Sequence, residues 1–196
     1  MKNKNMTIDN FYGKKIVVIG GHQDDETLFC GGLLSEISNK SDINIICTSK
    51  PYPNRPDTLT RETALQNVCN YLGAKYIQLN FKDPGPQHYP EEDFIPTTQK
   101  IKSLLEEINP DIVITHNNVG EYGHIYHKFI HNVVLSVWKK TLIVFGVGLQ
   151  DLDFEISFNT INKQRLFDFY LPQWNGPKMY SFAMLPESYK ILNKWT

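Results

Sequence analysis

No basic run interleaved with aromatics occurs along this sequence, and 20 Lys and Arg stand against 21 Asp and Glu, for a net charge of −1. Nucleic acid is therefore not an expected partner, because phosphate backbones are gripped by concentrated positive charge. Long apolar runs are also missing. The longest, Leu142 to Leu149, falls far short of the roughly 20 residues that a membrane-spanning helix needs. Met1-Lys2-Asn3-Lys4-Asn5-Met6-Thr7 lacks the apolar core of a secretory signal, so a cytoplasmic location without a membrane span is expected. Cysteine is scarce: Cys30, Cys47 and Cys69 are widely spaced with no Cys-x-x-Cys pair, which argues against a disulfide framework and predicts buried free thiols. No repeat, low-complexity segment or linker divides the 196 residues. That length suits one domain with a real core, spanning 1–196.

What is present is an alternation. Strand-like apolar runs recur at Ile16 to Ile19, Ile43 to Thr48, Tyr76 to Phe81, Ile112 to Thr115 and Leu142 to Val147. Between them lie segments of helical period at Glu26 to Ser38, Thr60 to Leu72, Ile95 to Ile108 and Ile125 to Trp138. The pattern predicts an α/β fold of Rossmann-like type, an open and mostly parallel sheet with helices on both faces. Gly73 and Asn109-Pro110 are expected to end the helices before them. Pro51, Pro53 and Pro56 make Lys50 to Asp57 a loop, and Lys82 to Asp93 is a second long one. Long loops at strand ends often form substrate walls.

Two polar clusters follow strand-like runs directly: Gly21-His22-Gln23-Asp24-Asp25-Glu26 and Gly120-Glu121-Tyr122-Gly123-His124-Ile125-Tyr126-His127. Sites in open α/β folds form where strands end. In the first, His22 and Asp25 could bind one ion while Asp24 takes a proton from bound water. Asp24 and Asp25 could equally serve as helix caps at the positive end of the following helix. In the second, His124 and His127 are three apart and share one face if a helix starts there. His116 is a candidate to line the site, His131 a candidate for a packed or solvated helix face, and His88 a loop surface residue.

These residues resemble the signatures of the LmbE-like, or PIG-L, N-deacetylases, which read Ala-His-Pro-Asp-Asp-Glu and then Tyr-Gly-His-x-Asp-His. The match here is Gly21 to Glu26 and Tyr122 to His127, with weaker echoes at Arg61-Glu62, Leu79 to Asp83, Asn109-Pro110-Asp111, Lys163 to Gln173 and Glu187-Ser188-Tyr189. The resemblance implies a zinc-dependent hydrolase that removes the N-acetyl group from an amino sugar or its conjugate, of N-acetylglucosamine type. By the same resemblance His22, Asp25 and His127 hold Zn2+, Asp24 is the general base, and Tyr122 and His124 stabilise the oxyanion. Arg61 and Asp83 contact the substrate. Such a protein needs only a small-molecule partner, and the sequence leaves room for a homo-oligomer.

Three positions depart from the family pattern. Gln23 and Gly21 replace Pro and Ala, which loosens a turn without removing a ligand. Tyr126 replaces an Asp that can tune the neighbouring histidine, so His124 is expected to lose its proton more readily here. Tyr126 also supports an alternative, a catalytically weakened sugar-binding member of the same fold. A dinucleotide-binding protein is disfavoured, since Gly-x-Gly-x-x-Gly requires glycines where this chain has His22 and Asp25, and adjacent carboxylates repel a pyrophosphate.

Overall fold

The run Ile16-Val17-Val18-Ile19 has no polar face, and in the computed structural model it has none to present. The strand β1 (Lys15–Gly20) is buried on both sides. It pairs in parallel with β2 (Asp42–Lys50) on one edge and β4 (Ile112–Thr115) on the other. Ile16 and Val18 enter one core while Val17 and Ile19 enter a second, following the two-residue period of a strand. The structure describes residues 6–50, 58–85, 87–171 and 186–192.

β3 (Lys75–Lys82) and β5 (Thr141–Phe145) extend the parallel set. Two further strands, β6 (Phe154–Ile156) and β7 (Glu187–Ile191), close one side, giving the order β3-β2-β1-β4-β5-β7-β6 among the described residues. β7 runs antiparallel to both β5 and β6. Helices α1 (Asp25–Ile37), α2 (Thr58–Leu72) and a later helix, Thr160–Tyr170, cover one face. α3 (Phe94–Ile108) and the helix Ile125–Val137 cover the other. A single turn, α4 (Gly120–Gly123), precedes that last helix, so Ile125–Val137 is α5 and Thr160–Tyr170 is α6. The chain steps from β1 toward β2 and β3, then returns to place β4 on the opposite side of β1. The C-terminal ends of β1 and β4 therefore flank the crevice where the sheet reverses direction.

The expected helix ends are found. Gly73 follows α2, and Asn109 takes a left-handed conformation (φ 48°) with its N–H on Leu105 O at 2.9 Å, just before Pro110. All three cysteines are free and buried. Residues 51–57, the proline-rich part of the first long loop, lie outside the described residues, as do residues 172–173 of the Lys163 to Gln173 segment. No helix among the described residues is long and apolar enough to cross a membrane.

α1 is broken at Cys30 (φ −145°, ψ 17°). A break leaves backbone N–H groups without intrahelical acceptors, and Glu187 from β7 supplies them, accepting from Gly32 N at 2.7 Å and Leu33 N at 2.8 Å. Lys163 from α6 stands 2.5 Å from Glu187 and donates to Leu28 O, on the other side of the break, at 3.3 Å. Both charged residues are buried. A fully internal ion pair thus fixes the first turn of α1, which begins with Asp25 and Glu26.

Candidate metal and catalytic site

After Gly20 the chain turns abruptly into α1, and Asp24 takes the strain of that turn with φ 145° and ψ −20°. A buried non-glycine residue in such a conformation costs about 1–3 kcal/mol and persists only where its surroundings over-determine it. They do so here. Asp24 N–H donates to Glu26 Oε2 at 3.2 Å, and Asp24 O starts the helix by accepting from Thr27 and Leu28. The Asp24 carboxylate makes no capping hydrogen bond. It faces Arg61 instead, whose Nη1 donates to Asp24 Oδ2 at 3.3 Å. Glu26 is buried, accepting from Thr27 Oγ1 and Tyr170 OH at 2.7 Å each. Burial pushes its carboxyl up to about 7, against the pull of those two hydrogen bonds.

His22, Asp25 and His127 converge. His22 Nδ1 and His127 Nε2 are 3.2 Å apart, His127 Nε2 and Asp25 Oδ1 3.5 Å, and His22 Nδ1 and Asp25 Oδ2 3.7 Å. Tetrahedral zinc with bonds of about 2.0–2.2 Å holds its ligand atoms roughly 3.3–3.6 Å from one another; the spacings here are of that size, with His22 meeting Oδ2 of Asp25 and His127 meeting Oδ1. The donor set of two imidazoles and one carboxylate also suits zinc, with a fourth position for water or substrate. Burial pulls the His22 ring down, but hydrogen bonds and charge from Asp25 and Asp83 outweigh it and raise His22 to about 10. Burial first, then the charge of His116, lowers His127 to about 4. Asp25 and Asp83 thus favour a proton on His22, while His127 is kept neutral.

His116 and Glu121 are the residues that sequence reasoning underused. His116 is fully buried at the end of β4, stacked on His127 with ring centroids 3.8 Å apart. Its Nε2 lies 3.0 Å from Asp25 Oδ2 and 2.9 Å from Gly21 N, and its Nδ1 lies 2.9 Å from Glu121 Oε2. Among the described residues, two groups place ligand atoms within 4.8 Å of one another, His22 with His124 and His127, and Asp25 with His116 and His127. Because the Gly21 N–H already donates to Nε2 and Glu121 faces Nδ1, this ring supports the site rather than offering a lone pair to it. Glu121 is buried with φ 57° and ψ −75°, another strained backbone. Burial raises its carboxyl, but the charge and hydrogen bonds of His116 and His127 outweigh that and hold it at about 2. Gly148 admits this turn: a Cβ there would lie 2.2 Å from Glu121 O. The one sequence signal for Glu121 was an acidic residue set in a Gly-x-x-Gly turn.

The other expected residues are distributed around this centre. Tyr122 is largely exposed, with its ring edge-on to His124 and His127 at 5.9 and 5.6 Å. His124 stacks on His127 at 4.4 Å, and its Nδ1 has no hydrogen-bond partner. Burial and the charge of His22 lower the His124 pKa, the direction expected. Asp83 accepts from His22 Nε2 at 2.8 Å and, through Oδ1, from Gly85 N at 2.8 Å. His131 is buried and donates from Nδ1 to His116 O at 2.9 Å. His88 is exposed, 3.6 Å from Glu92. Tyr126 is fully buried, stacked on Phe129 and facing the His22 ring at 5.5 Å, with no hydrogen bond to His124.

The family model described as PIG-L, GlcNAc-PI de-N-acetylase, matches residues 17–138, a span that contains both polar clusters. The chain belongs to the PIG-L family. Within that family it is 27% identical over 157 residues to a 1D-myo-inositol 2-acetamido-2-deoxy-alpha-D-glucopyranoside deacetylase of Corynebacterium diphtheriae, covering 64% of this chain and 52% of that protein. The chain thus spans about half the length of this curated relative. An N,N'-diacetylchitobiose deacetylase from Pyrococcus horikoshii shares the fold, with a TM-score of 0.75 at 15% identity over 91% of this chain and 84% of that one. So does GalB, a 4-carboxy-2-hydroxymuconate hydratase from Pseudomonas putida, with a TM-score of 0.73 at 10% identity over 93% of this chain and 98% of that one. The PIG-L scaffold alone therefore does not fix the reaction, which has to be argued from the side chains.

Two of this PIG-L member's departures from the signature belong together. A Cβ at Gly21 would lie 3.2 Å from Tyr126 Cδ1 and 3.3 Å from His127 Cδ2. The absent methyl at 21 makes room for the ring at 126, which fills the second core and leaves His124 without a neighbouring carboxylate.

Proposed function

We propose that this protein is a zinc-dependent N-deacetylase acting on an N-acetylated amino sugar or conjugate of N-acetylglucosamine type. The observation that carries the proposal is the approach of His22 Nδ1 and His127 Nε2, 3.2 Å apart, to the two oxygens of Asp25, at 3.7 Å from Oδ2 and 3.5 Å from Oδ1, next to a strained and oriented Asp24. The family and the deacetylases among its relatives support the same reaction class. Zinc, when bound, lowers the pKa of water to about 7 and polarises a carbonyl oxygen.

The rest is work for this chain's own groups. Asp24 accepts a proton from the attacking water and returns it to the amine nitrogen as the C–N bond breaks, releasing acetate and a free amine. Arg61 orients the Asp24 carboxylate by donating to Oδ2. The Tyr122 hydroxyl and the His124 ring donate to the carbonyl oxygen as negative charge develops on it. Tyr122 is exposed at the rim, which lets it meet a substrate arriving from solvent. Arg61 and Asp83 remain candidates to touch sugar hydroxyls. For Asp83 the contact with His22 adds a role in orienting a ligand.

Purified protein is expected to hold about one zinc per chain, and Ala at His22, Asp25 or His127 is expected to lower that content sharply, as metal analysis reads directly. Unchanged stoichiometry in all three variants overturns the ligand set. Mass spectrometry of amine products across N-acetylglucosamine derivatives tests the reaction. Tyr126 favours the second reading, a sugar binder, and retained zinc without turnover of any acetylated sugar would establish it. Asp83→Ala is expected to weaken zinc binding about 10- to 100-fold as well as kcat/KM. If zinc binding is untouched and only kcat/KM falls, Asp83 serves the sugar alone.

A further inference from the structure

Glu121 takes no part in the chemistry proposed above, yet its carboxylate lies at the middle of the histidine cluster. Oε2 faces Nδ1 of His127 at 2.7 Å and Nδ1 of His116 at 2.9 Å, while Oε1 accepts the Asn117 backbone N–H at 2.9 Å. An ionised carboxylate can only accept, so each ring must present an N–H at Nδ1. That leaves the lone pair of His127 on Nε2, the atom facing His22 Nδ1 and Asp25 Oδ1. The opposite tautomer would carry hydrogen on Nε2 and could not ligate. The same Glu121 oxygen also stations His116, whose Nε2 accepts the Gly21 backbone N–H at 2.9 Å and whose ring stacks on His127 at 3.8 Å. One carboxylate therefore touches a candidate ligand and the ring stacked on it.

The backbone points the same way. Residue 121 sits in a region that L residues rarely adopt, and Gly148 leaves the space that this turn occupies. The side chain's three hydrogen bonds, with Asn117 Oδ1 accepting from Glu121 N at 3.2 Å, hold the strained residue in place.

We propose that Glu121 is the positioning residue of the metal centre, selecting the Nδ1–H tautomer of His127 and fixing the His116 ring that stacks on it. The effect on metal affinity rests on the function proposed above, but the tautomer is a property of the protein alone, so the two can fail separately.

The test uses the full chain with 15N-labelled histidine, its His127 signals assigned by their loss in His127→Ala. Spectra taken before and after zinc addition are expected to show Nδ1 of His127 protonated in both. A wild-type spectrum with hydrogen on Nε2 overturns the proposal, and this measurement needs no variant to fold. Zinc affinity is then read by chelator competition for Glu121→Met, which keeps length and volume without an acceptor, and for Glu121→Gln, which keeps one oxygen. The Met variant is expected to bind zinc about 10- to 100-fold more weakly and the Gln variant to recover part of that loss. Affinity equal to wild type in both variants means that filling the space is what matters, and equally low affinity means that the acceptor oxygen restores nothing; either result overturns the tautomer role. A wild-type protein that binds no zinc refutes the ligand set while the spectrum still decides the part of Glu121.

Discussion

Asp24→Asn is expected to keep its zinc and to lose roughly 10²- to 10⁴-fold in kcat. The amide has the same shape as the carboxylate and can still hydrogen-bond water through its oxygen, so binding and metal content should change little. It cannot take the proton as the water attacks. The substitution also removes the charge that meets Arg61 Nη1 at 3.3 Å, so a modest fall in KM is expected if Arg61 then turns toward substrate. Turnover should be measured at saturating substrate with zinc content matched to wild type. Near wild-type kcat would mean that another group accepts the proton. The buried Glu26, whose Oε2 accepts from Asp24 N at 3.2 Å, would then be the next carboxylate to test.

Glu187→Ala is expected to destabilise the protein by about 3–5 kcal/mol, the range for removing one partner of a buried ion pair. Lys163 would keep its charge in the interior without its counter-ion. In thermal terms this is roughly 6 to 20 °C for a domain of this size. The loss has a second source: Gly32 and Leu33 N–H groups at the break in α1 would lose their acceptor, at about 1–3 kcal/mol for a buried donor left unsatisfied. The Glu187→Leu, Lys163→Met double variant separates these. Replacing a simple buried pair with apolar residues is often neutral or better, but here the two N–H groups remain unpaired, so the double variant should recover only part of the loss. Denaturant unfolding of the three proteins measures it. Full recovery would mean that the carboxylate acts only as a counter-ion to Lys163.

β1, β4 and β5 were legible because each is a short apolar run buried on both faces, whereas β2 and β3 carry Asn44, Gln78 and Asn80 and were legible by the helical period that follows each. β6, with three residues, and β7, read as Glu187-Ser188-Tyr189-Lys190-Ile191, carry no such run. Their pairing is decided by the sheet edge they meet, and α6 beside them owes its buried Lys163 to a partner 24 residues later in sequence. At the site, His22, Asp24, Asp25, His124 and His127 stood out because polar residues crowd directly after strands. The sequence left open whether Asp24 was a helix cap, and the backbone geometry answers that, since its side chain makes no capping bond. Glu121 and His116 were harder to see. Their importance comes from hydrogen bonds across a strained turn, and no periodic pattern encodes a φ of 57°. Asp83 was visible as a strand-end carboxylate, but its contact with His22 depends on how β3 and β1 are aligned by β2 between them.

The packing of Tyr126 against Gly21 makes the route back to the common family signature uneven. Gly21→Ala by itself presses a methyl onto Tyr126 and His127, so a change outside the ligand set would displace a ligand. Tyr126→Asp by itself empties a ring-sized space beside Phe129 and puts a carboxylate into an apolar core. Each single step is costly, whereas the second change relieves part of what the first imposes: Asp at 126 removes the ring that the Ala methyl would strike. The order of substitutions therefore matters in this protein, because the two positions are coupled through one contact.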